Sequence, residues 1–474
     1  MKHLKIILLL VSSSFICASP WLEPDDYALK SLLEEFFLSC TNANNQVHFY
    51  PYPLQNIYDQ LNNIDLKKED KECNNLAATL SKEIKNRFAK QESISMQFRS
   101  SGYIFQNLGS RIYDNNLISY TNSNTIKNFS YKFNLRSLDN GEYFFDNSNI
   151  SLKHNNNIFK FGRIERWWSP STESSMILSN SARPPISLSI SSYKNYHTNI
   201  LKFLGPYDYE IFISKLERNR AISNALLFGN RISFNPSPNF KFSLIRIAQF
   251  GGKGRDLNTK TLKNMILGKD NTNQDLSFSE QPGNQLAGLD FSIKPFDKNI
   301  VFYGQILGED GPDPINENIE FIKFPSKRFG QVGFFIAKKI DIGLIKITTE
   351  HLSTNSGYLN KVYNHELYKD GFRYFSKPIG ANIDADSRLS TIKAEFIDNY
   401  SNIFSIKLTD FSINENGNIN NKINTEHADF NELNINYTKK ISQELDLIIS
   451  TFFRSKSFEN IKKNNIFIEV KYRF

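Results

Sequence analysis

Asn465-Ile466-Phe467-Ile468-Glu469-Val470-Lys471-Tyr472-Arg473-Phe474 is the stretch whose reading decides the fold. Ile466, Ile468, Val470, Tyr472 and Phe474 fall on one face of a strand. Asn465, Glu469, Lys471 and Arg473 fall on the other, and Phe467 alone breaks the polarity. Successive strand side chains point to opposite faces, so this alternation suits a wall between lipid and water. It also suits an amphipathic strand of a soluble β protein. A terminal aromatic, here Phe474, is typical of bacterial outer-membrane barrels, whose last strand the barrel-assembly machinery reads.

The other end of the sequence favours the membrane. Lys2, His3 and Lys5 precede an apolar run from Ile6 to Val11, then Phe15-Ile16 and small residues at Ala18-Ser19. This reads as a signal peptide over residues 1–18, cleaved after Ala18. Ser14-Phe15-Ile16 before Cys17 makes a poor lipidation signal. No later segment has the run of roughly 18–20 apolar residues that a spanning helix needs. The chain is polar on average (mean hydropathy −0.43) yet 14% aromatic, with 40 phenylalanines and 21 tyrosines. A barrel reconciles these values, because lumen residues dilute the lipid-facing ones. The net charge of +8 comes without a basic cluster or nucleic-acid motif, which leaves acidic polysaccharide or lipopolysaccharide phosphate as the anionic partner.

Residues 19–90 read as a small periplasmic helical bundle. Leu29, Leu32, Leu33, Phe36 and Phe37 follow helical spacing behind Asp25 and Asp26. Pro53 opens a second helix with Leu54, Ile57 and Leu61, and Leu76, Leu80, Ile84 and Phe88 form a third stripe. Cys40 and Cys73 are expected to pair in an oxidising compartment. From about Ser93 the period becomes two, and residues 91–474 read as the barrel. Phe129, Tyr131, Phe133 and Leu135 oppose Ser130, Lys132, Asn134 and Arg136, and similar alternation recurs along the chain. The segments number about 16–18 strands, making the fold mainly β, a transmembrane antiparallel β-barrel. Between Phe240 and Gln249 the phase slips at Leu244-Ile245, where a β-bulge would turn Arg246 inward.

Several stretches do not read as ordinary wall. Arg163 to Pro170 holds Arg166, Trp167 and Trp168 and leads to Ser179 through Pro185, with Arg183. This reads as an internal plug near 166–185, or as a surface where aromatic rings stack on sugars. A second group runs from Glu217 and Arg220 through Arg231 to Arg246, Gln249 and Arg255. A third holds Asn284-Gln285-Leu286-Ala287-Gly288-Leu289-Asp290, then Gln305 and Gly308-Glu309-Asp310. Inward Arg231, Arg246, Asp290 and Glu309 are expected to form a charge network, because a low-dielectric lumen demands paired charges.

Together with Ser19-Pro20-Trp21-Leu22 at the mature start, these ordered segments resemble the capsule assembly Wzi family. Ser169 and Ser171 depart from it, since glycine is expected around the Trp-Trp turn. The resemblance implies an 18-stranded outer-membrane barrel over a periplasmic helical bundle. It also implies a lectin-like role in attaching capsular or exopolysaccharide to the cell surface. The alternative use of such a barrel is a passive diffusion porin or sugar channel.

Chemistry of other kinds is not expected. His365-Glu366-Leu367-Tyr368-Lys369 lacks the second histidine of a zinc-protease helix. No nucleophile-elbow motif occurs. Asp310-Gly311-Pro312-Asp313-Pro314 reads as a turn. We expect a monomer, not an enzyme, with no metal and no cofactor.

Overall fold

The computed structural model describes residues 21–41, 47–63, 71–88, 91–110, 116–199, 202–266, 283–295, 299–314, 323–356, 362–417, 420–457 and 462–474. The expected signal peptide and its cleavage after Ala18 lie outside them. Eighteen antiparallel strands close into a barrel, with the two-residue ribbon Tyr143–Phe144 beside strand Phe129–Leu138. The last strand, Asn464–Arg473, completes the circle by pairing with the first wall strand, Gln91–Arg99, in the register Val470↔Met96. Closure removes the sheet edge, which a wall in lipid requires because no water is there to satisfy unpaired backbone groups. No described helix is long and apolar enough to cross a membrane.

The wall alternates as its period predicts. Ile118, Leu152, Ile306 and Leu408 stand outward and exposed, while Ser95, Ser130, Asp290 and Gln305 face in and are buried. Phe467, the exception in the terminal strand, is only 7% exposed. It joins an inner cluster with Tyr103 and Phe452, whose rings lie 4.3 Å apart. The expected slip at Leu244-Ile245 does not occur. Strand Phe240–Phe250 pairs in unbroken register with Gln285–Ile293 from Phe240↔Ile293 to Ala248↔Gln285. Ile245 and Ile247 point inward onto an apolar core, so Arg246 points outward. Apolar residues on both faces at that height mimic a change of phase. The Asp310–Pro314 segment is likewise not a turn; after an irregularity at Glu309/Pro312 it extends its strand, with Asp313 opposite Phe324.

The two rims differ. Ile126 and Phe129, His154 and Asn157, and Ile340 and Gly343 are joined by tight turns at the rim that holds Phe474. The opposite rim carries the long connections 100–116, 164–185, 251–284 and 354–387.

Helices α1 (Tyr27–Cys40), α2 (Leu54–Asn63) and α3 (Lys71–Phe88) precede the wall. Asp26 caps α1 by accepting the Leu29 N–H at 3.4 Å. Leu29, Leu33, Phe36, Leu80 and Ile84 bury together, and the same cluster runs on into the lumen through Tyr50, Trp167 and Leu307. Glu34 receives Lys346 Nζ at 2.6 Å, and Glu35 receives Lys339, so α1 is tied to the wall by charge as well. A disulfide joins Cys40 to Cys73, linking the end of α1 to the start of α3 across 33 positions.

By loop-closure entropy, that crosslink is worth about 4 kcal/mol to the helical unit. A Cys40→Ser, Cys73→Ser double variant should keep the heat-modifiable electrophoretic mobility of a folded barrel. It should also expose α3 to proteolysis several-fold faster. Unchanged cleavage would show that packing alone holds α3.

Candidate functional site

The connection from Ile164 to Pro185 turns into the lumen, and most of it is buried there. Trp167 and Trp168 are fully buried and form a two-residue antiparallel ribbon with Tyr50 and Phe49. The N-terminal unit and the loop-side plug therefore meet inside the wall. Trp167 Nε1 donates to Ser171 O at 2.9 Å, and Trp168 packs edge-on against Phe212 at 5.5 Å. These rings cannot stack on a sugar.

Beyond the tryptophans the plug has almost no regular structure, so its amides need partners from elsewhere. Glu350, inward on strand Gly343–Ser353, supplies them. Its carboxylate accepts the N–H groups of Thr172 and Glu173, each at 2.9 Å. It also accepts the hydroxyls of Ser171, Thr172 (3.1 Å) and Tyr303 (2.6 Å). Gln305 bridges two more points, donating to Trp168 O at 2.8 Å and accepting the Met176 N–H at 2.9 Å. Ser169 and Ser171 close this turn with their hydroxyls. Ser169 Oγ accepts from Ser171 N at 3.0 Å and from Gln331, and Ser171 Oγ donates to Glu350.

The charged candidates are paired locally rather than in one network. Arg166 and Lys160 share Glu210, at 3.2 and 2.9 Å, with the Arg166 guanidinium 4.3 Å from the Phe212 ring. Arg231 binds Asp208 at 2.6 Å and lies over Phe49 at 3.1 Å. Asp290 lies 3.0 Å from His48 Nδ1, and burial pushes the His48 imidazole below its ordinary value. Glu309 accepts the Tyr363 N–H at 2.9 Å. Arg246 sits outside the wall, donating to Ile266 O (2.7 Å) of the short outer helix α4 (Thr259–Ile266). The side chain of Asp310 is outside the described residues.

The remaining candidates hold the long connections over the barrel mouth. Arg183 grips Asp146 with two bonds, 2.8 and 2.9 Å, and lies 3.5 Å over Phe144. Arg220 binds Glu217 at 3.2 Å and donates to the carbonyls of Arg373 and Gly371. Gln249 donates to Gly371 O at 2.9 Å, and Arg255 lies 5.8 Å from the Tyr368 ring. Sequence reasoning misses Glu350, Glu210, Asp208, Asp384 and Arg373. Glu350 is readable as inward from the alternation of Lys346, Thr348 and Glu350 against Ile345, Ile347 and Thr349, but its plug partners are not.

Between the helices and one side of the wall lies a cavity of about 630 Å³. It reaches from Phe474 and Arg473 at one rim to Asn107, Ser110 and Asn180. Asn180 Nδ2 closes that inner end by donating to Asn107 O at 2.9 Å and Ser110 O at 2.5 Å. Lysines and arginines alternate there with carboxylates, as at Lys393 beside Glu395 and Lys407 on Glu173 at 2.6 Å. Among the described residues no group of three or more His, Cys, Asp or Glu is placed to hold a metal.

A closed 18-stranded wall plugged by the segment around Trp167–Trp168 invites comparison with known proteins, and residues 59–465 match the family described as capsule assembly protein Wzi. The chain belongs to that family. Its fold matches a solved Escherichia coli structure at TM-score 0.81 and 19% identity, over 98% of this chain and 100% of the other. That protein is described as Wzi, an outer-membrane protein involved in group 1 capsule assembly and a carbohydrate-binding β-barrel. A Klebsiella pneumoniae protein, described as an uncharacterized 55.8 kDa protein in the cps region, is 33% identical over 165 residues. The match spans 34% of this chain and about a third (32%) of that relative's length. As a member of the Wzi family, the chain is an outer-membrane β-barrel.

Glu350→Ala should release the plug turn. Each buried amide or hydroxyl left unpaired costs about 1–3 kcal/mol. Thermal unfolding of the purified barrel should begin earlier, and its planar-bilayer conductance should rise and become noisy. Wild-type stability and conductance in the variant would show that the plug turn does not depend on Glu350.

Proposed function

We infer that this chain binds surface polysaccharide and assists the assembly and attachment of capsule or exopolysaccharide. The observation that carries the reading is a family barrel whose lumen holds its own plug while its 354–387 connection is hydrogen-bonded over one mouth. On this reading the Phe474 rim faces the periplasm and is recognised by the assembly machinery. The signal peptide is removed on export, the helical unit lies on the periplasmic side, and the mouth with long loops faces outward among lipopolysaccharide. The protein works as a monomer and not as an enzyme, and it holds a repetitive glycan through many weak contacts multiplied by copy number.

A diffusion porin needs a continuous wet path. Trp167, Trp168, Met176 and Ile177 are fully buried within the wall, which argues against one. The deciding experiment is binding of the purified barrel to the host's own surface polysaccharide, paired with a chromosomal deletion. Retention on immobilised polysaccharide is expected, with deletion shedding polysaccharide into the medium at unchanged synthesis. Steady porin-like conductance together with unaltered retention on deleted cells would sink the reading.

A further inference from the structure

The 354–387 connection ends in a segment that is buried almost throughout. From Gly371 to Ser387 every residue is buried except Phe375, Ser376 and Lys377. Those three sit at the tip of a hairpin in which Arg373 pairs with Pro378 and Tyr374 with Lys377. The two-residue turn places Phe375 and Ser376 at φ 49° and 61°, both left-handed. Such a turn favours asparagine and glycine, because a β-carbon crowds the backbone there. A phenylalanine in that place gains little from core packing, since the residue is 56% exposed. Bulky residues held in this region cluster at sites of function.

The base of the hairpin is fixed as firmly as its tip is open. Arg373 makes two bonds to Asp384, at 2.9 and 2.7 Å, one to Asn364 Oδ1 at 2.9 Å and one to Asn420 O at 2.9 Å. Its own carbonyl accepts from Arg220, and the Phe375 N–H donates to Glu217 Oε1 at 3.2 Å. Ile379 O, just beyond the hairpin, accepts the plug's Ser179 N–H at 2.9 Å. Tyr374 packs edge-on against Phe375 at 4.6 Å and limits the ring's orientation. The exposed cations Lys377 and Arg218 stand on the two segments that meet at this point.

We propose that Phe375 is a stacking platform for one pyranose ring of the surface polysaccharide, with Lys377 and Arg218 receiving acidic substituents on the glycan. The inference rests on the polysaccharide-binding reading above and gives it a location. The electron-rich face of the aromatic ring attracts the C–H face of a sugar, and the immobile hairpin limits the ordering cost of binding. Trp167 and Trp168 carry the same ring chemistry but are buried.

The test is equilibrium binding of the purified full-length barrel to fragments of the host's own surface polysaccharide a few repeat units long. Wild type and Phe375→Trp should bind alike. Phe375→Leu, with the same backbone demand but no ring, should bind roughly tenfold more weakly. Phe375→Gly should bind as weakly as the leucine variant, although glycine suits the turn better. Limited proteolysis should show both weak binders with the wild-type cleavage pattern. Undiminished binding by the leucine and glycine variants overturns the assignment of Phe375 and leaves the polysaccharide reading intact. Failure of wild type itself to bind overturns both.

Discussion

The carboxylate of Glu350 is the contact on which the interior depends. An irregular chain inside a barrel has no neighbouring strand to take its N–H groups, so those that are buried need side-chain acceptors. Glu350 stands on a strand fixed on both sides, by Val332↔His351 in one direction and His351↔Ser390 in the other. Such a position delivers two acceptor oxygens where the turn Ser171-Thr172-Glu173 offers two amides and two hydroxyls. Hydrogen bonds to an ionised acceptor are roughly twice as strong as neutral ones. One wall residue thereby replaces a missing strand, and the two tryptophans upstream can settle against Tyr50 and Phe49.

What the sequence reveals follows from which interactions are periodic. The alternation Ile466, Ile468, Val470 against Asn465, Glu469, Lys471 is enforced by lipid on one side, so it can be read directly. Phe467 interrupts it because the inner face there touches Tyr103 and Phe452 rather than water. The same cause produces the false bulge at Leu244-Ile245: where plug meets wall, both faces are apolar and period two loses its contrast. The cysteines and the three helical stripes are legible because each is local. Glu350 with Thr172 is separated by 178 positions and Asp290 with His48 by 242, and no pattern in one chain reports such partners. The plug segment is visible in Trp167-Trp168, but its orientation is not, since buried and sugar-stacking tryptophans look alike in sequence.

Three arginines, Arg166 and Arg231 buried and Arg183 half-buried, share one logic. Arg166, Arg231 and Arg183 each meet a carboxylate and also lie over an aromatic ring, Phe212, Phe49 and Phe144 respectively. The carboxylate offsets the desolvation of the guanidinium, and the ring covers its flat face without asking for further hydrogen bonds. Arg166 thereby ties plug to strand, and Arg231 ties strand to the N-terminal ribbon. Substituting lysine would keep the charge but lose the planar stacking.

A plugged barrel and a rigid mouth belong together. A pore loses by occupying its lumen, whereas a binding surface gains, because loops anchored from below lose little freedom when they meet a ligand. The cap shows how such anchoring is built: Arg373 reaches down to Asp384, Arg220 holds the carbonyls of Gly371 and Arg373, and Gln249 on the wall holds Gly371 again. The charge of the remaining cavity argues the same way. A selectivity filter concentrates one sign, but here Lys393 neighbours Glu395 and Lys407 is bound to Glu173, leaving no uniform field to draw an ion through. Both features suit a barrel that serves as a fixed support for its outer loops.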